Sequence, residues 1–108
     1  MRFFRSERVS KLVREELAKL LERELEFEGL VTITEVEVDK KLDRARVKVS
    51  VIPASGEAAA LKTLEYAAGS LQHKLLKKIN IKPMPRIAFE IDRGLENAAK
   101  VEKALLDE

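Results

Sequence analysis

The stretch Leu61-Lys62-Thr63-Leu64-Glu65-Tyr66-Ala67-Ala68-Gly69-Ser70-Leu71-Gln72-His73-Lys74-Leu75-Leu76-Lys77-Lys78-Ile79 decides how this chain folds. Leu61, Leu64, Ala68, Leu71, Leu75 and Ile79 recur at steps of three and four. That spacing keeps one face inward over about five turns of helix. Gly69 sits in the middle. A glycine inside a helix costs about 1 kcal/mol relative to alanine, so it marks either close packing or a bend. The expectation is a bend at Ala67-Ala68-Gly69 that divides the segment into two helices. Lys74, Lys77, Lys78, Lys82 and Arg86 then follow with no acid between them. A bent backbone beside dense positive charge reads as a phosphate-binding element.

Upstream, Val9, Leu12, Val13, Leu17, Leu20 and Leu21 have helical spacing. Ser6 reads as the N-cap of this helix and Glu7 suits its first turn. The helix is expected to end near Glu28-Gly29. Val31 to Asp39 is β-rich, but its apolar phase changes between Ile33 and Val36, which predicts a bulge. After the polar connector 40–44, Ala45, Val47, Val49 and Val51 alternate with Arg46, Lys48 and Ser50. This is a half-buried strand with basic residues on its other face, and the two strands should pair as an antiparallel hairpin. Pro53 stops the second strand. Pro83 and Pro85 precede a third, in which Ile87, Phe89 and Ile91 point inward. Arg93-Gly94 turns the chain, and Ala98, Val101, Leu105 and Leu106 predict a short terminal helix. The resulting order is α-β-β-α-(bend)-α-β. It predicts an α+β domain spanning residues 1–108, with a three-stranded sheet and helices on one face.

Composition narrows the function. The chain has 108 residues, no cysteine and one histidine, His73. Disulfides and thiolate metal sites are excluded, and a histidine metal cluster or Ser/His/Asp triad is not expected. No apolar run approaches the roughly 18 residues of a membrane span, and the amino terminus lacks the apolar core of a signal peptide. A soluble cytoplasmic protein is expected. The net charge is only +2, yet it is segregated. Residues 1–14 hold five basic groups and one acid; residues 15–39 hold two basic groups and nine acids. Residues 40–50 and 71–93 are each net +4. Folding should gather the three basic segments into one surface against an acidic back.

These residues, in this order, resemble ribosome-binding factor A, a bacterial family of small-subunit maturation factors with a type II KH-like fold. Ordinary KH domains clamp nucleic acid with a GXXG loop; here Ala67-Ala68-Gly69 resembles that family's Ala-x-Gly kink. Arg8-Val9, the block from Val31 to Val38, the block from Leu42 to Val51, and Pro85 with Ile87, Phe89, Asp92 and Glu96 agree with it. The similarity covers about residues 5 to 105. Two features depart: Glu26-Phe27-Glu28-Gly29 replaces the family's Asp-Pro-Arg, and Arg86 replaces an acid. The resemblance implies binding to the immature small ribosomal subunit near its neck, support of rRNA processing, and release before translation. It implies no cofactor, no metal and no catalysis. The partners are the small subunit and its rRNA, with a maturation GTPase as a candidate further partner. No membrane is involved, and a monomer is expected.

The expected RNA-binding residues are Arg5, Arg8, Lys11, Lys40, Lys41, Arg46, Lys48, Lys74, Lys77, Lys78, Lys82 and Arg86, with Ala67, Ala68 and Gly69 as the interhelical kink. Arg2, Arg14 and Arg44 belong to the same basic stretches. Lys74, Lys77, Lys78 and Lys82 would share one helix side if the helix reaches that far. Tyr66 is expected to pack near the bend rather than to stack on bases. Glu22, Glu24, Glu26 and Glu28 read as a solvated helix end rather than as acid–base or metal-binding pairs. Two other function classes remain open. One is a protein–protein adaptor using the acidic helix and the exposed sheet face; the other is a generic KH-type RNA chaperone.

Overall fold

The alternation over residues 44–52 builds the centre of the molecule. The computed structural model describes residues 5–94; the expectations for Arg2 and for the terminal helix lie outside them. The elements are α1 (Arg5–Glu24), β1 (Leu30–Val38), β2 (Arg44–Ile52), a 3-10 turn at Ala54–Gly56, α2 (Glu57–Ile79) and β3 (Arg86–Ile91). The sheet order is β1-β2-β3. β1 pairs antiparallel with β2, and β2 pairs parallel with β3. A parallel pair needs a crossover between its strands, and α2 supplies it. The α+β class, the three-stranded sheet and the helices on one face are as the sequence predicted.

One face of the sheet is apolar throughout. Val31, Ile33, Val36 and Val38 of β1 stand opposite Val51, Val49, Val47 and Ala45 of β2. Ala45, Val47 and Val49 stand opposite Ile87, Phe89 and Ile91 of β3. α1 covers β1 with Val9, Val13, Leu17, Leu20 and Leu21, all buried. α2 covers β3 with Ala60, Leu64, Leu71 and Leu75. The expected bulge is present: the register shifts between Ile33 and Glu35, leaving Thr34 without a partner. That extra residue keeps Val36 and Val38 on the inner face.

Three local expectations are corrected. Ser6 lies inside α1, where its carbonyl accepts a bond from Ser10 Oγ at 2.8 Å, so it is not the cap. α1 ends at Glu24, before Gly29. The acids at 22, 24, 26 and 28 oppose the helix dipole at a C-terminus, and Phe27 leaves the helix to pack on the core. The break at Ala67-Ala68-Gly69 is absent: α2 is one unbroken helix of 23 residues, and Gly69 has no positive φ. Burying a leucine stabilises by about 1.5–3 kcal/mol. Leu64, Leu71 and Leu75 flank Gly69 at 0–2% exposure, which outweighs the roughly 1 kcal/mol cost of one glycine. α2 closes on Asn80, left-handed at φ 54°, whose N–H reaches the Leu76 carbonyl at 3.1 Å.

Gln72 ties α2 to the start of β3. Its Nε2 donates to the Pro85 carbonyl at 2.8 Å, and its Oε1 accepts the Ile87 N–H at 2.8 Å. Gly29 has a packing role instead of a capping one. A Cβ there would clash with the Ile52 carbonyl oxygen. Gly29→Ala is therefore expected to destabilise by about 1–3 kcal/mol, seen as a lower urea midpoint. Among the described residues, a Cβ at Gly69 would meet nothing within 4 Å outside the adjoining helix backbone. Gly69→Ala is expected to stabilise by about 1 kcal/mol, seen as a higher Tm.

Candidate RNA-binding surface

The register places five cations at one end of the sheet. β1 ends at Val38, while β2 and β3 begin at Arg44 and Arg86, which are paired residues. Lys40 and Lys41 lie in the turn between β1 and β2, and Lys82 lies in the connector that enters β3. The first turns of α1 flank the same end: Ser6, Glu7, Ser10, Lys11 and Arg14 share a groove with Glu35–Val38. Arg5, Arg8 and Lys11 are exposed on those turns. Lys77 and Lys78 occupy the last turn of α2, which leads into the connector. Among the described residues, none of Arg5, Arg8, Lys11, Lys40, Lys41, Arg44, Lys77, Lys78, Lys82 and Arg86 makes an ion pair.

The turn that presents Lys40 and Lys41 is locked from below. Leu42 adopts φ 60° and is 3% exposed, so it plugs into the core while the lysines stay in water. Asp39 Oδ1 accepts the Asp43 N–H at 2.7 Å and the Arg44 N–H at 3.2 Å. The Asp39 carbonyl accepts the Leu42 N–H at 3.0 Å, and the Asp43 carbonyl accepts the Arg86 N–H at 2.9 Å. Leucine rarely takes a positive φ, so neither the conformation nor its anchoring was visible in the sequence.

Three expected site residues stand apart from this end group. Arg46 and Lys48 project from the outer sheet face into a carboxylate lattice. Arg46 binds Glu90 at 2.8 Å and Glu37 at 3.2 Å; Lys48 binds Glu37 at 3.1 Å and Glu35 at 3.6 Å. The hydrogen bond to Glu90 holds Arg46 more firmly protonated, and the bond to Glu37 does the same for Lys48. Three carboxylates face two cations here, so the outer face is no basic surface. Lys74 turns toward α1 and meets Glu24 at 3.1 Å, a contact that lowers the Glu24 pKa. Lys82 lies beyond the helix end, so it shares no helix side with Lys74, Lys77 and Lys78. Glu22, Glu26 and Glu28 lie at the end of α1 and before β1, away from the basic end. Among the described residues no group of three His, Cys, Asp or Glu side chains is placed to hold a metal ion. No described helix is long and apolar enough to cross a membrane.

Tyr66 is the largest surprise. The expectation of a packed ring is corrected: the side chain is 94% exposed. In the single helix α2, position 66 falls on the side opposite Leu64 and Leu71. Leu30 and Ile52, paired on the outer sheet face, are also open at 63% and 61%.

The bulge residue Thr34 spans the outer face. Its hydroxyl lies 2.6 Å from Asp92 Oδ2 and 3.2 Å from the Lys48 carbonyl. The Thr34 bond, then the Gly94 N–H, hold the Asp92 pKa below the ordinary aspartate value. A depressed carboxylate pKa stabilises the fold fully above the unfolded value. The contribution shrinks as pH falls past that value and is gone below the folded one. Asp92→Asn should therefore lose less stability than the parent between neutral and acid pH, measured by urea unfolding at stepped pH.

A family model described as ribosome-binding factor A matches residues 5–105. A ribosome-binding factor A from Hahella chejuensis is 38% identical over 108 residues, covering 92% of this chain and 80% of that protein. The crystal structure of ribosome-binding factor A from Thermus thermophilus superposes with a TM-score of 0.73 at 23% identity. The match covers 82% of this chain and 97% of that one. A homology model of the Thermus thermophilus factor, fitted into the cryo-EM map of its complex with the 30S subunit, gives a TM-score of 0.66 at 22% identity. It covers 77% and 90% of the two chains. With nearly its whole length matched by the family model and a relative this similar, the chain belongs to the ribosome-binding factor A family.

Proposed function

We propose that this chain binds the immature small ribosomal subunit through rRNA and assists its maturation, without catalysis, as one domain. The observation that carries the reading is the cluster of cations at the end of the sheet that make no ion pair among the described residues. A fixed cluster of this kind suits phosphate contacts, which position a protein on folded RNA without reading its sequence. Family membership supports the subunit as the target, as does the Thermus relative fitted into a 30S complex. Binding would act by differential affinity, favouring one rRNA arrangement over another. The adaptor reading draws on Leu30 and Ile52, whose paired side chains stand open on the outer sheet face, where Arg46 and Lys48 are tied up in ion pairs.

Co-sedimentation with immature small subunits over a salt series separates the two. Lys40→Glu with Lys41→Glu should weaken binding more than tenfold and flatten the dependence of log affinity on log salt by about 2, one for each phosphate contact. Arg46→Gln, whose parent side chain is already paired, should change neither. Unchanged binding in the double variant, with loss in Leu30→Ser, would favour the adaptor.

A further inference from the structure

The outward side of α2 carries a feature that meets the basic end only at Lys77. Lys62, Tyr66, His73 and Lys77 are all exposed and follow at steps of four, seven and four. Those steps align them along one side of the helix. Between Tyr66 and His73 the side chains are minimal: Gly69 and Ser70 are exposed, and among the described residues nothing outside the adjoining helix backbone lies within 4 Å of a Cβ placed at Gly69. The result is a low saddle of backbone with an aromatic ring on either side and a cation at each end. Lys62, His73 and Lys77 make no ion pair among the described residues. Glu65, exposed as well, borders this side, three residues from Lys62 and four from Gly69, and sits about 100° around the helix from Tyr66.

Tyr66 does nothing for the fold at 94% exposure. An open ring of this kind is a stacking surface for any flat partner. The cations at both ends select a polyanion. We propose that this side of α2 stacks an unpaired RNA base on Tyr66. The sugar–phosphate chain would cross the saddle at Gly69 and Ser70, with phosphates against Lys77 and Lys62. The inference rests on the rRNA-binding reading and deepens it. The basic end holds phosphates of folded RNA, and the α2 side takes a base that lies outside a helix. Aromatic stacking accepts every base, so this contact adds attachment rather than sequence choice.

The test uses one hairpin RNA in two forms, blunt and with a 3′ oligoadenylate tail. Tyr66 is the sole tyrosine and the chain has no tryptophan, so tyrosine emission reports this position alone. The tailed hairpin should bind about tenfold tighter than the blunt one and should quench the emission, which the blunt form should not. Tyr66→Ala should lose the advantage of the tail while still binding the blunt hairpin like the parent. Tyr66→Phe should keep the advantage. Because the ring is in water, neither change threatens folding. The inference is overturned if the tail adds nothing, if its advantage survives in Tyr66→Ala, or if the two hairpins quench equally. Quenching by RNA-free small-subunit proteins but not by tailed RNA overturns it in favour of a protein contact. If neither hairpin binds, the rRNA-binding reading falls with it. If the blunt hairpin binds and loses affinity in Lys40→Glu with Lys41→Glu while the tail adds nothing, only the stacking inference falls.

Discussion

Strand β2 carries the constraint on which the rest depends, because its backbone is bonded on both edges and each edge fixes a register. Side chains alternate across a strand, so a slip of one residue would drive Arg46 and Lys48 into the core and expose Val47 and Val49. The cost of burying those charges pins the alignment. Once β2 is aligned, the end of β1 and the beginnings of β2 and β3 must coincide. The basic stretches, distant along the chain, meet there as a by-product of burying valines.

The same alignment sorts the cations into two kinds. On the outer face, Glu35, Glu37 and Glu90 come from the two flanking strands and close around Arg46 and Lys48 of the middle one. Exposed pairs contribute little to stability, but they do remove those cations from the charge available to a polyanion. At the sheet end no carboxylate is so placed among the described residues, and the turn holding Lys40 and Lys41 is stiffened by Asp39 and Leu42. The carboxylates of Asp39 and Asp43 keep their charge there, but Asp39 turns its own onto the backbone N–H groups of Asp43 and Arg44, and neither pairs with a lysine or arginine among the described residues.

Periodicity made the fold legible. The clean alternation from Ala45 to Val51 located β2, and the phase change between Ile33 and Val36 located the bulge, because both are statements about which side a residue faces. The site was legible only in part. Sequence gives the charge of Arg46, Lys48 and Lys74 but not their partners, which come from other elements. The division into two helices expected at Gly69 followed from local propensity, and burial of Leu64, Leu71 and Leu75 on either side of it keeps α2 a single helix. Tyr66 lies two residues past the buried Leu64, on the side of α2 that faces water. The early end of α1 was hidden because Leu25 and Phe27 continue the apolar pattern after the helix has stopped.

Gln72 bears on the working life of the protein. Its amide offers a donor to one backbone group and an acceptor to another, and no other side chain of that length offers both. Hydrolysis of the amide would keep the shape and the bond to Ile87, yet it would set a carboxylate oxygen against the Pro85 carbonyl. A single deamidation event, invisible in size and fold class, would thus loosen the seam between α2 and β3, beside the cations of Lys82 and Arg86.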